Sequence, residues 1–375
     1  MKQKILLSIL IVLPIISCRN QVVQGGGTIE YAGVCEPAKV FYEKIKTIKL
    51  IPLETKDSAL LGGKVELEVT PDYFFLVDMS AKKQVLKFTR DGKYILPIGM
   101  IGNGPGEYIE IISANICEDS VYIFAPPAAT VNVYDLNGHF GKTYMFEDYA
   151  SQAYRLPGVF INYIGYGKDM PYRLITHRDG NNAEFLTHTS QIISLDDNTP
   201  NFYKISDDRL IIRELFGNQI YEYNRADQQV NPYITFDFGE LALPQEFYQM
   251  QFMESGEYLM KNNFMAIKRY LESNKDGLKI AEFDLNLPKE GKIQKIYWID
   301  DDNRGGRWFS LSEKSLFYNS FRLFDHDKLY CLISPAKLKG MSNEEKRLFS
   351  SVCKNNDVME SAKELDNYLI AEIQL

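Results

Sequence analysis

Histidine is scarce in this chain, with four residues in 375 and no His-x-x-x-His spacing. That argues against a His-rich metal centre. Cysteine is sparse as well: five residues and no CxxC pair, so no zinc-ribbon or thioredoxin-type redox motif is present. Lys and Arg number 42 against 50 Asp and Glu, a net charge of −8, which offers no basic face to nucleic-acid phosphates. A Gly-x-Ser-x-Gly nucleophile elbow is missing. The apolar run at 5–16 (ILLSILIVLPII) spans 12 residues, short of the roughly 20 that cross a bilayer as a helix. What is present is an ordinary globular composition, 45% hydrophobic and 25% charged, which excludes disordered, collagen-like and disulfide-scaffold chains. The aromatic share of 13%, in 24 Tyr and 22 Phe, favours strands.

Lys2 and Lys4 precede that apolar run, and it ends in Ile15-Ile16-Ser17-Cys18. The segment resembles a bacterial lipoprotein signal with its lipobox. The resemblance implies that residues 1–17 are removed. Cys18 then becomes the lipid attachment site, carrying a diacylglycerol and further acyl chains such as palmitate. The mature chain has 358 residues and a net charge of −10. Residues 18–44 read as a lipidated tether that begins polar and Gly-rich (RNQVVQGGG). Arg19, not Asp, follows the cysteine, and no acid precedes Glu30, which points to an outer membrane lipoprotein facing the periplasm. Of the other cysteines, Cys117 and Cys331 sit in apolar strand patterns as buried thiols. Cys35 remains unassigned, and a Cys331–Cys353 bridge stays open in an exported protein.

Strand-like runs recur from Thr47 to the C-terminus, separated by Asp, Asn and Gly turns. Two stretches repeat at an offset of 46 residues. Phe75-Leu76-Val77, Val85–Phe88 and Asp91-Gly92-Lys93-Tyr94 return as Val121-Tyr122-Ile123, Val131–Tyr134 and Asn137-Gly138-His139-Phe140. A period near 46 with several strands per unit is the signature of a propeller blade. The repeat resembles the NHL type, and the whole of 45–375 is similar to the six-bladed propeller lipoproteins of Bacteroidetes. The likeness is carried by Ile51–Thr55, the strand ending at Asp78, Arg90-Asp91-Gly92, Gly102–Tyr108, Gly217–Tyr221 and Asn231-Pro232-Tyr233. Residues 45–375 would hold about seven such units. Two segments have helical signatures, however. Residues 244–261 open on Pro244, and a capping box Ser342…Glu345 starts a second insertion over 342–366. Setting them aside leaves about 48 residues for each of six blades. The expectation is an all-β six-bladed β-propeller with short helical insertions. The C-terminal strand 368–375 should complete the last blade near Thr47–Leu53.

Candidate chemistry is thin. Gly102-Asn103-Gly104-Pro105-Gly106 lacks the last Gly of G-x-G-x-x-G and the Lys of a phosphate loop, and reads as a crossover between blades. Asp300-Asp301-Asp302-Asn303-Arg304-Gly305 has the oxygens of a calcium loop but Leu311 at the twelfth position, and reads as a solvated turn. In Asp325-His326-Asp327 a carboxylate could orient the imidazole, although Asp is also common at such turns. His139, His177 and His188 have no partner at ligand spacing. Tyr163, Tyr166, Tyr172, Arg173, Trp298 and Trp308 could stack on sugars or grip peptides, with inter-blade packing as the competing role. No catalytic, cofactor-binding or metal-ligating set is expected. The sequence reads as a lipid-anchored exported propeller acting as a non-catalytic module for a glycan, a peptide or a partner protein. The alternative is a polysaccharide-degrading enzyme, hydrolase or lyase, with acids at the channel mouth.

Overall fold

The Asp-Gly and Asn-Gly turns of the repeat close hairpins at equivalent places. Gly92 has φ +84° and Gly138 φ +83°, a region that glycine enters without steric cost. Side chains finish both turns. Thr89 Oγ1 accepts from the Lys93 N–H at 3.0 Å, and Asp135 Oδ1 accepts from the N–H groups of Asn137 and His139 at 2.8 and 2.9 Å. A β-bulge falls just before each turn, after Lys87 and after Val133, twisting the outermost strand of each unit in the same way.

This computed structural model describes residues 27–375 apart from 32, 126–129, 148–149, 166–169, 188–198 and 300–305. Residues 1–17, expected to be a leader, and Cys18, Tyr166, His188 and the Asp300–Gly305 cluster lie outside the described residues. Six antiparallel sheets form the ring. Their innermost strands are Val65–Val69 (blade 1), Ser113–Cys117 (blade 2), Gln152–Leu156 (blade 3), Phe202–Lys204 (blade 4), Phe264–Glu272 (blade 5) and Phe321–Asp325 (blade 6). The fold is a six-bladed β-propeller, as the repeat arithmetic implies.

Blade 6 closes the ring with both parts of the chain. Leu369–Gln374 lies between Lys328–Ile333 and Thr47–Pro52, paired antiparallel from Thr47↔Gln374 to Pro52↔Leu369. Both edges of Leu369–Gln374 are thereby paired. Residues 27–44, read from the sequence as tether, carry two ordered elements. Gly27–Glu30 adds a fifth, parallel strand to blade 4 along Ile234–Asp237. The helix Ala38–Glu43 (α1) inserts Phe41, 0% exposed, among Trp298, Phe309, Phe317 and Phe321 at centroid distances of 5.5–5.9 Å. Phe41→Ala is expected to cost about 3–5 kcal/mol, because it empties the centre of that aromatic cluster. A urea unfolding midpoint lowered with unchanged slope checks it.

The helical insertions depart from their expected bounds. Pro244 precedes a 3₁₀ turn, Gln245–Gln249, and the helix proper is Phe252–Lys261 (α2). The second insertion holds three helices, Pro335–Gly340 (α3), Asn343–Val352 (α4) and Asn356–Ser361 (α5). Only half of the capping box forms. Ser342 Oγ accepts from the Glu345 N–H at 3.1 Å. The Glu345 carboxylate instead accepts from the Leu316 N–H at 2.9 Å and the Tyr42 hydroxyl at 3.1 Å, tying α4 to α1 and blade 6.

Candidate functional site

The innermost strands enclose a cavity of about 680 Å³ along the central channel. Each blade contributes residues of its innermost strand, so the lining is assembled from positions far apart in sequence. Three charged side chains occupy one tier. Glu66, Arg269 and Arg322 each stand three residues before the end of their strand. Arg269 Nη1 and Nη2 donate to Glu66 Oε2 and Oε1 at 3.1 and 3.0 Å, a fork that joins blade 5 to blade 1 past blade 6. Arg322 Nε lies 3.7 Å from the same carboxylate. Behind them, the buried Glu282 meets Arg269 Nε at 3.3 Å and accepts from Gln294 Nε2 at 2.8 Å. Burial alone would raise the Glu66 carboxyl, but Arg269 and Arg322 outweigh it and hold the group below its usual range.

Glu68 is different. It shares a face of its strand with Glu66 but stands one residue from the strand end, nearer the hairpins. Among the described residues no cation is in ion-pair contact with it. Burial pushes its carboxyl up to about 7, against the pull of Lys204 and the Ile116 N–H, with Glu66 adding to the rise. Lys204 is itself held by Asp207 at 2.7 Å. The hairpin rim beyond carries Glu118, Asp119 and Asp325. In all, the lining holds seven carboxylates against four Lys and Arg, a net charge of −3 with His326 neutral.

A pH dependence of stability follows. The folded protein retains a proton on Glu68, and another on Glu282, which burial likewise raises to about 7. The unfolded chain has released both above about 4.5. The folded state therefore binds more protons between these values, so stability falls as pH rises from about 4.5 to 7. A melting temperature that declines over this range, with a shallower slope in Glu68→Gln, is the expected result.

The residues singled out for stacking do not form a platform. Tyr163, Tyr172, Trp298 and Trp308 are buried between blades, and the Arg173 guanidinium is taken up by Glu214. Gly102–Gly106 is the crossover read from the sequence. Glu107 accepts from the Gly104 N–H at 2.8 Å, and buried Tyr108 packs against Gly99. His326 lies in the blade 6 hairpin with φ +56°, its Nδ1 2.8 Å from Asp325, and faces the rim as a turn residue. His139 binds Asp135, and His177 lies between Asn162 and Asn182. Cys35, Cys117, Cys331 and Cys353 are all unbridged thiols, so the Cys331–Cys353 bridge is not formed. Among the described residues no His, Cys, Asp and Glu group forms a metal site. No described helix is long and apolar enough to cross a membrane.

Comparison with known proteins adds a family. The model of DUF4934, a domain of unknown function, matches residues 37–373. The chain belongs to the DUF4934 family. No curated protein matches this DUF4934 chain. Among solved structures it is similar to a Bacteroides fragilis protein described as exported, at TM-score 0.70 and 15% identity. That match covers 93% of this chain and 99% of the other. At that identity it shows the fold. The WD40 domain of Toxoplasma gondii coronin matches at TM-score 0.42 and 11% identity, over 78% of this chain and 71% of that one. The WD40 repeats of RRP9 match at TM-score 0.40 and 10% identity, over 83% and 79% respectively. Neither bears on function.

The sequence did not point to Glu66, Glu68, Arg269 or Arg322. Glu66 and Glu68 carry a faint signal, acids alternating with Val and Leu in VELEV. The arginines carry none.

Proposed function

We propose that this DUF4934 protein is a lipid-anchored, exported propeller that binds a ligand at the hairpin end of its channel without turning it over. The observation that carries the binding reading is the state of the channel acids. Glu66 is committed to the Arg269 fork, Glu272 accepts from the hydroxyls of Tyr233 and Tyr270 at 2.9 Å each, and Glu282 is buried behind the tier. Deep in the channel a single carboxylate, Glu68, has no ion-pair partner among the described residues, with Glu118 and Asp119 at the rim beyond, and one such acid at that depth suits recognition better than two-carboxylate hydrolysis. Support for export comes from the signal-like residues 1–18 and from the description of the Bacteroides fragilis relative.

Cys18→Ala is expected to move the protein from the membrane to the soluble fraction and to stop fatty-acid labelling. Labelling that persists in the variant would remove the anchor from the account. For the ligand, glycan and peptide arrays probed with the detergent-solubilised full chain should give saturable retention, diminished by substitutions at the channel rim. Retention unaffected by those substitutions would place the binding surface elsewhere.

One observation favours a second reading, a polysaccharide-degrading enzyme. Glu68 near 7 beside an ionised Glu66 is the kind of split that separates an acid from a base in glycoside hydrolysis. The fork from Arg269 counts against it, since Glu66 would have to leave two charge-assisted bonds to serve as nucleophile or base.

A further inference from the structure

Resting on the binding reading above, we infer that the cavity takes a primary ammonium group carried on an aliphatic stem, with Glu68 as its counter-ion. Three observations converge on this class. The first is the charge of the lining, in which the acids exceed the bases by three. The second is how the bases are used. Arg269 and Arg322 share Glu66, and Lys204 is held by Asp207, so these cations are matched within the wall. Glu68 is left without an ion-pair partner among the described residues.

The third is what surrounds Glu68 at its own height. Residues one position from the end of the neighbouring inner strands are Ile116 in blade 2, Leu271 in blade 5 and Phe324 in blade 6, and all line the cavity. Tyr203 of blade 4 holds the same position in its strand, and Arg155 of blade 3 holds it too but is not among the lining residues, its guanidinium lying 4.3 Å from the Phe160 ring centroid. A single carboxylate among these mainly apolar lining residues fits an ammonium whose methylene stem lies along the wall. An acidic or phosphorylated ligand would meet Glu68 and the rim acids Glu118, Asp119 and Asp325 before it reached Arg269.

The charged and titratable groups facing Glu68 are Glu66 on its own strand, Tyr154 of blade 3 and Lys204 of blade 4. Cys117 of blade 2, whose thiol burial raises to about 11, and Tyr154, whose hydroxyl burial raises well above its usual range, stay neutral between pH 6 and 8. Glu282, which burial also raises to about 7, lies behind Arg269 and is not among the lining residues, so within that range Glu68 is the raised carboxyl that an arriving ammonium meets. An alkyl ammonium, with a pKa near that of lysine, about 10.4, remains charged throughout. The bound cation favours the ionised carboxylate, so binding at pH 6 releases a proton and is weaker than at pH 8.

Calorimetric titration of the detergent-solubilised full chain with cadaverine, and separately with a Gly-Lys-Gly peptide and its Nε-acetylated form, tests this. Cadaverine is expected to bind about tenfold tighter at pH 8 than at pH 6, with proton release at pH 6 seen as a buffer-dependent heat. Acetylation of the lysine should abolish peptide binding. Tight binding of the diamine with weak binding of the peptide assigns the site to free amines, and the reverse assigns it to lysine side chains. Glu68→Gln should weaken cadaverine at least tenfold while keeping a cooperative melt. The wild-type pH series stands without the variant. Equal affinity at pH 6 and 8, unaltered binding in Glu68→Gln, or no heat from either amine overturns the inference. If a neutral glycan then binds in the channel, the ammonium assignment fails while the binding reading stands. Turnover of a polysaccharide that Glu68→Gln abolishes overturns both.

Discussion

Deletion of Tyr368–Leu375 is expected to abolish folding of the whole ring, not to trim its edge. Leu369–Gln374 is an interior strand of blade 6, hydrogen-bonded along its full length on both sides. Leu369, Ile370, Ala371 and Ile373 are at most 1% exposed. Each large apolar side chain contributes about 1.5–3 kcal/mol by burial. Asn367, just upstream, holds Leu61, Glu54 and Ala59 through its side chain and so anchors the approach to the strand. Removal of the strand strips two partners at once and leaves Thr47–Pro52 unpaired beside an open gap. Against a total stability of about 5–15 kcal/mol, the loss exceeds what the remaining blades supply. Urea unfolding followed by circular dichroism should show no cooperative transition in the truncated chain. A normal transition with a slightly lower midpoint would mean that the blades stand independently.

The second large effect is expected at Arg269. Arg269→Met removes the cation shared by Glu66 and Glu282, leaving Glu282 without a cation and Glu66 with Arg322 alone, at a cost of about 3–5 kcal/mol. The loss should be smaller in the double variant Arg269→Met, Glu282→Gln, because Glu66 and Arg322 then still compensate each other and no buried carboxylate lacks a cation. Unfolding free energies of the single and double variants check this. Equal losses in both would show that the fork contributes packing and not charge compensation.

Most of the ring was legible in the sequence because its signals are local. Gly92 and Gly138 mark the hairpins, the 46-residue offset marks the unit, and YLIAEIQL reads as a strand in need of partners. Phe41 illustrates what was not legible. Its helix is six residues long, too short for periodicity to reveal, and its partners lie more than 250 residues away. Gly27–Glu30 has the glycine of a linker and is a strand only because the edge of blade 4 accepts it. The channel is harder still. The Arg269–Glu66 fork links residues 203 apart, and nothing around Arg269 distinguishes it from a solvated arginine on an alternating strand. Glu345 shows a correct motif with a different use: the cap forms, yet the carboxylate serves a tertiary contact. Trp298 and Trp308 were drawn two ways by the sequence, and the structure assigns them to packing.

The central claim is that the channel binds and does not catalyse. Its most direct test is product release. Wild-type protein and Glu68→Gln would be incubated with the glycans or peptides retained on arrays, and new reducing ends, unsaturated sugars and free amines would be measured. The account predicts retention without product in either protein. Product formed by the wild type and lost in Glu68→Gln would contradict it.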